Sequence, residues 1–187
     1  NYVVHGILRH QLLFDPRVPY TAKNSCAAII LNVDAEPDLE RIYKDVEAIM
    51  LADFQPGSDP GLCVTCNVSP AIIDFGRRVQ KDLVNQAEAR QLAAAHEIIL
   101  NGLGGTQDGV IGALSAVGLA YSGEDGRYIQ VGKIREMSGI RPVNEGIQAG
   151  LYSVRTLENI EVTDGNVLAD KLRPARREGK PILYVQQ

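Results

Sequence analysis

Residues 102–119 constrain this chain more than any other stretch. Gly102-Leu103-Gly104-Gly105-Thr106-Gln107-Asp108-Gly109 is a glycine-rich turn, and it runs straight into residues 110–119, which are apolar on nearly all sides. An apolar segment with Gly112, Ala113, Ala116 and Gly118 reads as a buried helix that neighbours approach closely, because each interior glycine costs about 1 kcal/mol against alanine and needs a packing reason. A turn rich in glycine before such a helix presents backbone N–H groups and the positive end of the helix dipole, which together suit an anion such as phosphate. The loop is not a Walker loop, since Val110 and Ile111 stand where Lys-Ser/Thr would follow. The dinucleotide fingerprint fails as well, because Gln107 stands where its third glycine belongs. The alternative is a plain strand-to-helix turn with Thr106 or Asp108 as the N-cap. Asp108 would repel a bare phosphate at a helix start, so capping, a metal or an amine are its alternative roles.

Periodicity supplies the remaining elements. Residues 2–14 and 26–33 read as strands, the second nearly all apolar. Asp38 is a good N-cap for an amphipathic helix with Leu39, Ile42, Tyr43, Val46 and Ile49 or Met50 inward. Residues 62–68 suit a short strand. Pro70 suits a first helical turn, followed by the stripe Ile72, Phe75, Val79 and Leu83. The alanine-rich segment 86–97 is a further helix. After a hairpin-type turn at 123–126, residues 127–134, 151–157, 160–162 and 182–185 read as strands. The fold class is α+β, with helices packed on a mainly antiparallel, ferredoxin-like sheet and a second small α/β subdomain. The division is expected near residue 100, with parts 1–100 and 101–187 packed as one unit.

At 187 residues the chain can bury a real core, and 45% hydrophobic with 22% charged residues is the balance of a globular protein. No apolar run approaches the roughly 20 residues that cross a bilayer, so no membrane contact is expected. A net charge of −4 leaves no global field for nucleic acid, and any such contact must be local. An odd count of three cysteines suggests free thiols in a reducing, cytoplasmic setting. Cys63 and Cys66 have redox or zinc spacing, yet in a strand they would face opposite ways, and no second pair completes a site, so no metal centre is expected. His5, His10 and His96 are remote in sequence and form no nucleophile pattern. Lys171, Arg173, Arg176, Arg177 and Lys180 make a basic run that suits phosphate or a solvated loop.

Three segments in order resemble the central part of the archaeal-type isoleucine-tRNA agmatinylcytidine synthetases. They are residues 13–25, with Pro16-Arg17-Val18-Pro19-Tyr20 and the polar end Lys23-Asn24-Ser25; residues 109–118, a glycine-loop and Ala/Gly-helix match; and the strand-like residues 179–185. The resemblance implies an ATP- and magnesium-using enzyme that joins an amine such as agmatine to an acceptor, either a tRNA cytidine or a small molecule. The family's Asp-rich turn, OB-fold and zinc ribbon have no counterpart here, and its basic residue is replaced by Asp108. The implied site combines Gly102, Gly104, Gly105, Thr106, Gln107, Asp108 and Gly109 with Lys23, Asn24 and Ser25, and adds Arg135 and Glu136. The competing reading is a non-catalytic ligand-binding or homo-oligomerising module.

Overall fold

The computed structural model describes residues 2–18, 23–33 and 35–186. Residues 19–22, the centre of the first segment of the family resemblance, lie outside the described residues. The fold is α+β, with a six-stranded sheet in the order β2-β1-β5-β9-β10-β7 and two two-stranded ribbons, β3-β4 and β6-β8. The elements are β1 (Val3–Gln11), β2 (Ser25–Asn32), α1 (Leu39–Ala52), β3 (Gly61–Val64), α2 (Pro70–Val79), α3 (Gln86–Ala95), β4 (Ile99–Gly102) and α4 (Gly109–Ser122). There follow β5 (Arg127–Val131), a 3-10 turn (Ile134–Glu136), β6 (Ile140–Pro142), α5 (Val143–Ala149), β7 (Ser153–Thr156), β8 (Asn166–Leu168), β9 (Ala175–Arg177) and β10 (Lys180–Val185). The large sheet is mainly antiparallel, with β10 and β7 running parallel.

The chain forms two compact units: Asn1–Arg9, Ile29–Asn32 and Ser122–Gln187 in the first, His10–Ala28 and Val33–Tyr121 in the second. Residue 100, where the sequence suggests a division, falls inside β4, whose four residues are paired with β3 from Gly61↔Gly102 to Val64↔Ile99. A boundary there would break that ladder.

The core of the second unit is α4 and what surrounds it. Val110, Leu114, Ser115, Ala116, Gly118, Leu119 and Ala120 of α4 are all buried, and the cluster includes Ile72, Phe75 and Val79 of α2 with Ala89 and Ala93 of α3. Ser115 is polar and fully buried, but its hydroxyl donates to Ile111 O at 2.6 Å, so the group is satisfied within the helix. The helix starts read from sequence hold at two places: Asp38 accepts from Arg41 N at 3.0 Å, and Pro70 opens α2 behind Ser69. Met50 is half-buried while Ile49 is 70% exposed, which settles the end of the α1 stripe. Leu83 lies beyond the end of α2 and is exposed. Helix α3 ends in a Schellman arrangement, Ile98 N donating to Ala93 O at 2.9 Å and Glu97 N to Ala94 O at 3.2 Å. Glu97 holds the left-handed position, φ 54°, that glycine ordinarily takes there.

In the first unit, Tyr128 is 1% exposed and lies against Gly6 of the neighbouring strand, where an added Cβ would come within 3.0 Å of its ring. Val154 and Leu183 are buried on the same sheet. The turn at 123–126 is not a hairpin: it joins α4 to β5, and Gly123 O accepts from Gly179 N at 3.0 Å. The short β6, α5, β8 and β9 are not evident from periodicity, because three to seven residues are too few to display one.

Candidate functional site

The glycine loop leaves β4 and enters α4. Its first residue is tied to the turn before β3, with Leu103 N donating to Pro60 O at 2.8 Å. The glycines allow close approach by protein, rather than leaving an open cradle. A Cβ on Gly109 would lie 2.1 Å from Asp59 O, one on Gly104 2.5 Å from the Phe54 ring, and one on Gly105 2.9 Å from Ser58 O. Gly105 also needs its φ of +60°. Gln107 sits at φ 67°, a conformation that favours glycine, and a Cβ on Gly102 would strike it at 2.6 Å.

The anion at this helix start is the protein's own Asp59 carboxylate. Asp59 Oδ2 accepts from Asp108 N at 3.1 Å and from the Thr106 hydroxyl. Asp59 Oδ1 is buried and has no hydrogen-bond partner among the described residues. Asp108 Oδ2 lies 3.1 Å from the same Thr106 hydroxyl, and Asp108 Oδ1 accepts from Gln86 Nε2 at 3.1 Å. Gln86 also donates to Thr106 O at 3.2 Å, and Arg90 Nη2 donates to Gln107 Oε1 at 2.7 Å. A hydroxyl carries one proton, so Thr106 cannot serve both carboxylates at once. The arrangement is therefore short of donors and rich in hard oxygen acceptors. It suits a cation, an amine or a metal, and not a bare phosphate.

Sequence reasoning missed Asp59, Gln86 and Arg90. Asp59 lies in the turn-rich stretch before β3, 47 positions from Thr106 in the chain. Only the β3–β4 ladder brings it there.

The remaining expected residues have structural duties or stand elsewhere. Asn24 Nδ2 donates to Leu13 O at 2.9 Å, and Asn24 O accepts from Leu12 N at 3.0 Å and from Gln11 Nε2 at 2.6 Å, so this residue closes the β1–β2 connection. Lys23 is exposed and Ser25 opens β2. Beside this connection, the Arg17 guanidinium holds the Asp15 carboxyl well below its usual range, at about 2. Arg135 and Glu136 belong to the 3-10 turn of the first unit, where both are exposed and Arg135 Nη1 donates to Ile129 O at 3.2 Å. None of the expected residues lines the cavity of about 400 Å³ in the first unit, which is bounded by Val162, Asp164, Leu172, Leu183 and Tyr184 among others.

The histidines and cysteines resolve differently from one another. His10 is fully buried. His96 Nε2 lies 3.2 Å from Ser69 Oγ, a pairing absent from the spacing, produced because both residues flank the paired ends of β3 and β4. Cys63 lies in β3 and Cys66 beyond its end, and no disulfide joins the three cysteines. Among the described residues, no group of three or more His, Cys, Asp or Glu is placed to hold a metal ion. Burial pushes the Cys63 thiol up to about 12, whereas Cys66 is exposed. At pH 8, a disulfide reagent is expected to label Cys66 rapidly and Cys63 only on denaturation. A Cys66→Ser variant that retained the fast phase would contradict this. Because the raised value favours the neutral thiol in the folded state, Cys63 takes stability away as pH climbs from about 9 toward 12.

Among the described residues, no helix is long and apolar enough to cross a membrane. No protein-family model and no curated protein matches this chain.

Proposed function

We propose that the chain binds an amine of the agmatine type at the Asp59–Thr106–Asp108 cluster, as part of an ATP-dependent ligase related to the agmatinylcytidine synthetases. The observation that carries the amine reading is the convergence of two carboxylates on one hydroxyl at the mouth of the loop, with Asp59 Oδ1 left without a donor among the described residues. A protonated amine has three donors and no acceptor, which is the complement of that set. The second unit supports the same reading, since it contains fourteen Asp and Glu against eight Lys and Arg. The carboxylates would bind and orient the amine, and Thr106 and Gln86 would position the carboxylates.

Magnesium fits the same oxygens in the way it commonly binds proteins, through one or two carboxylates together with substrate phosphates. Asp59 and Asp108 are the residues that would hold it, and it would neutralise phosphate charge when bound. The loop is a poor cradle for ATP itself, since its glycines are filled by Phe54, Ser58 and Asp59 and its helix start faces a carboxylate. ATP use and a tRNA or small-molecule acceptor follow from the family resemblance. Three cysteines without a disulfide accord with a cytoplasmic setting.

Isothermal titration with agmatine, with and without ATP and Mg²⁺, tests the amine reading. Micromolar binding is expected, weakened about 10-fold to 100-fold by Asp108→Asn or Asp59→Asn through loss of a charge-assisted hydrogen bond. Unchanged affinity in both variants, or no heat from a folded sample, would rule the site out. Binding without turnover would leave the non-catalytic ligand-binding module.

A further inference from the structure

The β9–β10 ladder stops at Ala175↔Ile182, and Pro174, next along, has no N–H with which a central strand could extend it. Beyond that point β10 keeps β7 on one side, from Leu183↔Val154 to Val185↔Thr156, and has no paired strand on the other among the described residues. The last residues of β10 form one wall of the cavity of about 400 Å³, and Leu172 with residues of β8 forms another. Consecutive side chains of a strand point to opposite faces, yet Leu183, Tyr184 and Val185 all line this space, so it meets β10 at its open edge. Its volume falls within the range of about 300 to 1,000 Å³ common for small-molecule sites.

The lining has an apolar floor and a polar rim. Val167 and Leu183 are each 7% exposed, while Val162, Leu172 and Val185 are half-buried. Leu168 also lines the cavity and is 67% exposed, and Ile140, its register partner on β6, is 74% exposed. Scattered apolar side chains on a surface need no explanation, but a cross-strand pair of them beside an apolar cavity forms a patch. Asp164, Asn166 and Gln186 are exposed at the rim and Tyr184 is half-exposed, and none of these four side chains is bonded to another described residue. Asp164 is the one charged side chain of the lining, which contains no Lys, Arg or His among the described residues. Lys171 and Arg173 flank Leu172 in the chain and are exposed, outside the lining.

We propose that this cavity binds a small amphipathic cation, an apolar body of carbon that carries one protonated amine. The apolar body fills the floor between β10, Leu172 and β8, where burial of carbon supplies most of the affinity. The amine has three donors and no acceptor, and it meets a rim whose acceptors are the Asp164 carboxylate, the amide oxygens of Asn166 and Gln186 and the Tyr184 hydroxyl oxygen. Charge complementarity with the single carboxylate selects a cation over an acid of the same length. The site stands apart from the glycine loop, because no residue of that loop lines it. Its ligand also differs in kind from agmatine, which is charged at both ends and has no apolar terminus.

Isothermal titration with n-octylamine, n-octanol and n-octanoate, each below its aggregation concentration, tests the proposal, because the three share one chain and differ in the head. Octylamine is expected to bind about 2-fold to 5-fold tighter than octanol, the range of an exposed ion pair, and octanoate to bind most weakly. Asp164→Asn should bring octylamine down to the affinity of octanol and leave octanol unmoved. Leu168→Gln, at a position already exposed and so safe for the fold, should weaken octylamine and octanol alike by at least about 3-fold. Asp59→Asn/Asp108→Asn should change none of the three, so that failure here and failure of the glycine-loop reading are separate results. No binding of octylamine to a folded sample, octanoate bound as tightly as octylamine, or a Leu168→Gln variant that binds like the parent would each overturn the proposal.

Discussion

Gly118→Ala is expected to lower the unfolding free energy by about 3 kcal/mol, while Gly112→Ala in the same helix raises it by up to about 1 kcal/mol. Both replacements improve helix propensity by a similar amount, so the difference isolates packing. A Cβ on Gly118 would lie 2.2 Å from Ile72 O and 3.1 Å from Ile73 Cα, which are backbone atoms of α2 that cannot step aside alone. Gly76 completes the contact from the other helix, its added Cβ meeting Ser115 O and Leu119 Cγ at 3.0 Å. At Gly112 the same added carbon would sit 3.6 Å from Cys26 Cβ and 3.7 Å from Leu12 Cδ1, ordinary van der Waals distances. Urea unfolding followed by far-UV circular dichroism reads both changes. The Gly118 variant should also melt about 6 to 12 °C lower. Equal shifts in the two variants would mean that the α2–α4 approach is not as close as described.

Tyr128→Ala is expected to cost about 4 kcal/mol, and Tyr128→Phe about 1 kcal/mol. Tyr128 is the largest fully buried side chain of the first unit, and its ring packs over Gly6. Alanine would remove the ring and leave a cavity between strands. Phenylalanine keeps the ring and removes only the hydroxyl, which accepts from Arg176 Nη1 and approaches Gly179 O at 3.3 Å. Arg176 retains Gly179 O as an acceptor in that variant, so its charge is not left without a partner. Denaturant titration of the two variants measures the difference. If phenylalanine proved as damaging as alanine, the hydrogen bonds and not the ring would hold this part of the sheet.

The sequence was most legible where a local rule acts over a short span. Asp38 and Pro70 mark helix starts because capping and the fixed φ of proline work within one turn. Residues 110–119 announce a buried helix because an apolar surface on every side has no other stable use, and the four glycines and alanines among them point to close neighbours. The elements that escaped, β6, α5, β8 and β9, are three to seven residues long and have no period of their own; β6 and β8 meet only across the intervening α5 and β7, and β9 pairs both with the adjacent β10 and with the distant β5. The hairpin reading of residues 123–126 failed for a related reason: glycines at both ends of a short polar stretch mark a turn but do not name what it connects.

The candidate site shows the same boundary. Residue order along the chain is enough to place a glycine-rich turn before a buried helix, and to show that Asp108 is out of place beside a phosphate. What fills the turn was decided by tertiary structure alone, since pairing of β3 with β4 carries Asp59 into the loop and places its carboxylate on Thr106 and on the Asp108 N–H. The basic residues follow suit. Sequence order grouped Arg176 with Arg177 and Lys180, whereas strand alternation sends Arg176 to the Tyr128 face and register joins the others to Arg9, Arg127 and Arg155. Side-chain type is a property of position in the chain. Which side chains meet is a property of register and closure, and those depend on hydrogen-bonded partners tens of residues away.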